Sequence, residues 1–228
     1  MRAIAERFIK NTDFTEDEFR MLVACAEDPE AAGLLTQEAV RIGKKHYGDK
    51  VYIRGLIEFT NYCRNDCGYC GIRRGNLHVR RYRLTKEEIL ECCARGYELG
   101  FRTFVLQGGE DRWFTDERMA DIIRSIRASY PDCAITLSIG ERSYESYRLL
   151  KEAGADRYLL LHETEDEEHY GKLHPSERSL AVRKMCLYDL KFLGYQVGAG
   201  FMVGSPGQTA DGLAKDLLFL KELRPHMV

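Results

Sequence analysis

Ile57-Glu58-Phe59-Thr60-Asn61-Tyr62-Cys63-Arg64-Asn65-Asp66-Cys67-Gly68-Tyr69-Cys70 sets three cysteines, three and then two residues apart, directly after an apolar run that starts at Val51 and reads as a strand. Thiols this close in sequence strain any disulfide between them. The same spacing lets three sulfurs converge on one metal centre, and iron–sulfur clusters are held by cysteine thiolates, normally four to a cube. A loop that supplies three leaves one iron open to something other than protein. A structural zinc site is the competing reading. It uses four ligands, usually as paired knuckles; no second knuckle follows here, and the nearest histidine, His78, lies in a basic loop. Tyr69, just before the third cysteine, strengthens the cluster reading.

The 228 residues can bury a substantial core. A net charge of −2 gives no global field toward nucleic acid or an anionic membrane. No apolar run approaches the length of a bilayer span, and the first residues lack the apolar core of a signal peptide. Eight cysteines without a secretion signal fit a reducing cytosol, so a cytoplasmic location is expected. Cys25, Cys92, Cys93, Cys133 and Cys186 read as small packed hydrophobes.

Residues 1–50 read as a helical extension, with a capping box at Thr15-Glu16-Asp17-Glu18 and a second helix from Gly33 to Tyr47. From residue 51 to 228 strand and helix alternate. The strand candidates are Val51–Phe59, Thr103–Leu106, Ala134–Ile139, Arg157–Leu161 and Gln196–Val203. Helices opening at Thr85 and Ser143 and closing at Gly100, Gly154 and Gly194 lie between them. This is an α/β pattern of parallel strands with helices outside. Without a nucleotide-binding glycine fingerprint it predicts a partial (β/α) TIM-type barrel with N-terminal helices. His226-Met227-Val228 reads as the start of a sixth strand, so the barrel is expected to be truncated there.

Sites in such barrels gather at the carboxyl ends of the strands. After the second strand, Gly108-Gly109-Glu110-Asp111 combines close backbone approach with a carboxylate able to hold an ammonium group. Ser138 and Glu141 end the third strand. Glu163 ends the fourth, placed to accept hydrogen bonds from ribose hydroxyls. Arg183 could pair with a carboxylate in bidentate fashion. Glycines after the fifth strand thin the backbone for a flat ring, with Met202 as an apolar contact. The basic run from Arg73 through Arg83 reads as a solvated loop.

Cys63-x3-Cys67-x-Tyr69-Cys70 after a first strand resembles the signature of radical S-adenosylmethionine (radical SAM) enzymes. The further motifs Leu106-Gln107-Gly108-Gly109-Glu110-Asp111, His162-Glu163-Thr164 and Met202-Val203-Gly204-x-Pro206-Gly207-Gln208-Thr209 are similar to the biotin-synthase-like group, most closely its HydE branch of [FeFe]-hydrogenase maturases. The resemblance implies a [4Fe–4S] cluster on Cys63, Cys67 and Cys70. It also implies S-adenosylmethionine on the fourth iron, cleaved to a 5′-deoxyadenosyl radical. Tyr69, Gly109, Glu110, Ser138, Glu163, Arg183 and Met202 become the cofactor contacts. Thr136, Leu161 and Met227 become lining of the substrate cavity, with Leu161 where HydE proteins carry an arginine. An organometallic iron or other small-molecule substrate, an electron-donor protein and other hydrogenase maturases are the implied partners. A second iron–sulfur cluster would use cysteines in a C-terminal segment absent from this sequence. Leu161 leaves open an amino-acid mutase resembling methylornithine synthase, and a zinc-binding scaffold is the alternative from another class.

Overall fold

The computed structural model describes residues 1–11 and 13–228, which fall into two compact units. The first comprises Met1–Tyr52, Thr164–His169 and Phe201–Arg224; the second comprises Ile53–Glu163, Tyr170–Gly200 and Pro225–Val228. In chain order the first elements are α1 (Arg2–Lys10), α2 (Glu16–Ala24) and α3 (Pro29–Tyr47). Then come β1 (Gly55–Thr60), α4 (Lys86–Glu98), β2 (Thr103–Gly108), α5 (Asp116–Ser129) and β3 (Ala134–Ser138). After α6 (Tyr144–Glu152) and β4 (Arg157–Leu159) lie α7 (Glu167–Leu173), α8 (Leu180–Phe192), β5 (Gln196–Gly198) and α9 (Ala210–Leu223).

In the first unit, α1, α2 and α9 bury Ile4, Ala5, Phe14, Phe19, Cys25 and Ala214. Phe8, Phe14 and Phe19 meet edge to face with centroids 5.1 to 6.2 Å apart. Each buried phenylalanine contributes about 1.5–3 kcal/mol, so this cluster fixes the helices. The unit draws on both sides of the residue-50 boundary.

The second unit is a five-stranded parallel sheet in the order β1-β2-β3-β4-β5, each strand beside its sequence neighbour. That order is the winding of a (β/α) barrel. Strand centres such as Phe104–Leu106 and Ile135–Leu137 are buried, as expected where helices cover a parallel sheet. Met227 adds a parallel bridge to Gly198 at the open edge, with Ala199 N–H donating to the Met227 carbonyl at 3.1 Å.

Every strand differs from expectation at one end or both: β1 and β2 run on to Thr60 and Gly108, and β3 stops at Ser138. The start of β1 and the ends of β4 and β5 are set by the partner rather than the run. β1 begins at Gly55 because its neighbour β2 offers no partner before Phe104; Val51 and Ile53 are exposed. β4 and β5 stop early, at Leu159 and Gly198. Beyond them the two strands continue only as single bonds, Leu160 N–H to the Gly198 carbonyl and Glu163 N–H to the Gly200 carbonyl. α7 was not expected at all: Glu-Glu-His-Tyr-Gly-Lys-Leu carries no apolar repeat at helical spacing. Between Glu58 and Thr60 the β1–β2 register shifts, which re-aims Thr60 as the chain enters the cysteine loop. Among the described residues no helix is long and apolar enough to cross a membrane.

α4 opens on the expected box: Thr85 Oγ1 accepts from the Glu88 N–H, and Glu88 returns the bond to the Thr85 N–H at 2.7 Å. Replacing Thr85 with alanine is expected to cost about 1 kcal/mol, read as a lower urea midpoint with an unchanged slope.

Candidate functional site

The cysteine loop leaves β1 and is seated from three directions. From β2, Gly109 lies against it so closely that an added Cβ would stand 2.3 Å from the Tyr62 carbonyl oxygen and 2.7 Å from Cys63 Cβ. Only glycine fits there. From α7, the Leu173 carbonyl accepts from the Gly68 N–H at 2.9 Å. From the basic run, Arg81 donates to the carbonyls of Ile72 (2.8 Å), Arg73 (2.7 Å), Asn76 (3.1 Å) and Asn61. The planar guanidinium, with five donors, gathers the turn that follows Cys70. Arg83 forms a bidentate pair with Asp111 at 2.6 and 2.9 Å and stacks on Tyr62 at 3.8 Å; Asp111 also accepts from Thr60 Oγ1. The basic run is therefore partly structural rather than simply solvated.

Cys63, Cys67 and Cys70 are free and half-buried. Burial first, then Cys63 and Cys70, pushes the Cys67 thiol up to about 11. A raised Cys67 thiol beside two further cysteines suits a positively charged metal centre, which would bind all three as thiolates. Among the described residues no three His, Cys, Asp or Glu side chains are gathered tightly enough for a single metal ion. Three cysteine thiols on one loop are the donor set of a cluster in which each sulfur meets a separate iron. The residues present fit a cluster.

Beside the loop a cavity of about 340 Å³ opens over the carboxyl ends of the strands. Tyr69, Cys70, Ser138, Leu161, Glu163 and Arg183 line it. Tyr69 donates to Glu163 Oε1 at 3.2 Å, and its hydroxyl also stands 3.2 Å from His174 Nε2. Burial raises the Glu163 carboxyl against the opposing pull of Arg183. Among the described residues Glu163 is also one of two non-glycine residues with positive φ, at 72°, in the sparsely populated region where strain collects at functional positions. Arg183 is buried, donating to Glu141 Oε1 at 2.5 Å and to the Leu161 carbonyl at 2.6 Å. Burial alone would lower its pKa, but Tyr170, Glu141 and Glu163 leave it raised.

Glu110 is already engaged. Arg64 reaches it at 2.8 Å, Arg178 pairs with it, and the Glu141 N–H donates to it at 3.0 Å. Burial would raise its pKa, yet these donors hold it below the ordinary value. Arg178 also pairs with Glu141 and reaches Asn65 Oδ1 at 3.0 Å through Nε. Gly140, with φ at +75°, gives this cluster its room, since a Cβ there would strike Glu110. Met202 lies in the first compact unit, where its carbonyl accepts from Gln208 Nε2. Thr136 is buried below Ser138 on the same strand face, and its Oγ1 has no hydrogen-bond partner. Met227 accepts from Arg54 Nη1 at 3.6 Å and packs its methyl toward Gly198. His174 and Arg178 were not read from the sequence; neither belongs to a motif, and only the fold brings them to the loop.

Residues 57–220 match the Radical SAM superfamily. The [FeFe] hydrogenase maturase subunit HydE of Thermotoga maritima is 50% identical over 184 residues, 81% of this chain and 52% of that protein. The 3-methylornithine synthase of Methanosarcina acetivorans is 29% identical over 227 residues, 98% of this chain and 63% of that one. The crystal structure of methylornithine synthase (PylB) superposes with a TM-score of 0.87 at 27% identity, covering 97% of this chain and 65% of that chain. The chain thus spans less than two thirds of the length of each of these relatives. It belongs to the radical SAM superfamily, whose members work with a [4Fe–4S] cluster and S-adenosylmethionine.

Proposed function

We propose that this chain forms the S-adenosylmethionine-cleaving core of a HydE-type [FeFe]-hydrogenase maturase. The observation that carries this reading is the convergence on one cavity of the cysteine loop with Tyr69, Glu163 and Arg183; the 50% identity to HydE narrows it. Cys63, Cys67 and Cys70 would hold the cluster, its fourth iron taken by S-adenosylmethionine. When bound, the cluster supplies one electron that cleaves the sulfonium to methionine and a 5′-deoxyadenosyl radical.

The chain's own part is to bind, orient and keep out water. Glu163, buried and reached by the Tyr69 hydroxyl, accepts ribose hydroxyls. Arg183 holds the cofactor carboxylate near the loop while Glu141 fixes its guanidinium. Ser138 contacts the cofactor along the third strand end. Glu110 and Gly109 support the site from behind, one through Arg64 and Arg178, the other by close fit to the loop. Thr136, Leu161 and Met227 line the substrate side, for a small molecule or an organometallic iron species. An electron-donor protein, other hydrogenase maturases and a cytoplasmic setting complete the proposal.

One observation favours a second reading. Leu161 gives the cavity an apolar wall, and the fold superposes closely on methylornithine synthase, so an amino-acid mutase is the alternative within the same chemistry. Turnover of an amino acid rather than an iron compound would decide for it.

Anaerobic reconstitution with iron and sulfide is expected to give about four irons per chain and an electron paramagnetic resonance signal that changes when S-adenosylmethionine is added. A zinc scaffold would give no such signal. Cys67→Ala should reduce cofactor cleavage to background; retained cleavage would remove the cluster assignment. In Gly109→Ala the clash with Tyr62 should leave severalfold less iron bound, measured by metal analysis. Arg183→Lys keeps a charge beside Glu141 but loses the fork. Its S-adenosylmethionine dissociation constant should rise about tenfold, and an unchanged constant would take Arg183 out of the site.

A further inference from the structure

His174 stands outside every sequence motif, yet its ring is fixed on three sides. One face stacks on Tyr170 with centroids 3.9 Å apart at 17°. Tyr69 meets it nearly at right angles, with centroids 5.5 Å apart. Nδ1 lies 3.1 Å from the Tyr170 carbonyl oxygen. A carbonyl only accepts, so Nδ1 carries the hydrogen and Nε2 of the neutral ring presents a lone pair. That lone pair is 3.2 Å from the Tyr69 hydroxyl, which is also 3.2 Å from Glu163 Oε1. A phenol has one hydrogen. It serves the carboxylate or the imidazole, not both at full strength.

We propose that His174 is a positioning residue of the cofactor site: the second acceptor that lets Tyr69 release Glu163 when a ligand bearing hydroxyl groups arrives. In the empty cavity Tyr69 donates to the buried Glu163 carboxylate, which needs a donor. When ligand hydroxyls donate to Glu163 instead, the Tyr69 hydroxyl turns to His174 Nε2 and stays satisfied. Its ring, one residue before Cys70, then keeps its place. No covalent bond changes; one hydrogen bond is exchanged for another. The same stretch of chain grips the loop twice more, through the Leu173 carbonyl on Gly68 and Arg178 on Asn65. His174 thus sits on a rigid support rather than a free loop. This inference rests on the reading of the cavity as the S-adenosylmethionine site.

The test uses reconstituted wild type, His174→Ala, His174→Gln, Tyr69→Phe and the Tyr69→Phe/His174→Ala double variant. Iron content and the spectrum of the reduced cluster are measured first, without cofactor. The S-adenosylmethionine dissociation constant then follows by titration of the spectral change. His174→Ala should assemble a wild-type cluster and bind about tenfold more weakly, the loss of one buried hydrogen bond. His174→Gln, whose side-chain carbonyl can accept in place of Nε2, should recover most of the affinity. The double variant should bind no worse than Tyr69→Phe alone, since both act through one bond. Unchanged affinity in His174→Ala, no recovery in His174→Gln, additive losses, or iron loss in both histidine variants would each overturn the proposal. A wild-type cluster that ignores S-adenosylmethionine would overturn the cofactor reading itself, and this inference with it.

Discussion

One buried and one half-buried arginine between two buried glutamates hold the ends of three strands to the cysteine loop. Arg178 spans Glu110 after β2 and Glu141 after β3, and reaches Asn65 between the first two cysteines. Arg183 takes the other oxygen of Glu141 and the Leu161 carbonyl after β4. Such a network is expensive to desolvate, and losing one partner strands a charge at a cost of about 3–5 kcal/mol. Its return is geometric. Each guanidinium offers a fixed fork of donors, so four chain segments with no common hydrogen-bond ladder are set at defined distances. The cavity inherits its shape from that setting.

The glycines around the network are the negative image of the same constraint. Gly109 is glycine because Tyr62 and Cys63 occupy the place of a side chain, and Gly140 because Glu110 does. Glu110 therefore shapes the site by filling space and by collecting arginines, beyond any charge it offers a ligand. A Gly-Gly-Glu-Asp stretch reads in sequence as a turn with two acids. In the fold all four residues work on the loop: Gly108 lines the cavity, Gly109 admits Cys63, Glu110 holds Arg64 and Arg178, and Asp111 holds Arg83.

What the sequence made legible were patterns complete within a few residues: the cysteine spacing, the capping boxes, the alternation of apolar strands with helices, and the position of Glu163 just past a strand, with Arg183 in the helix that follows. What it hid depends on separations no local pattern encodes. Tyr69 meets His174 across 105 residues, and Arg178 meets Asn65 across 113. α7, which delivers both partners, lacks an apolar stripe because it is short and half polar, so periodicity had nothing to detect. Strand ends were misjudged for a related reason: a strand extends only as far as its neighbour pairs with it, and neighbour length is not written in the strand.

The cavity has two chemically distinct walls, and that asymmetry bears on what it can accept. Tyr69, Glu163 and Arg183 form a wall rich in donors and charge beside the cysteines, while Leu159, Leu160 and Leu161 form an apolar one. Among the described residues Arg183 is the only cation lining the cavity, and it is already shared with Glu141. Glu58 and Gln107 also line the cavity, where the Gln107 amide donates to the Glu58 carboxylate at 3.3 Å. A strongly anionic molecule placed in the cavity would compete with Glu141 and the Leu161 carbonyl for Arg183, or lose its hydration without compensation.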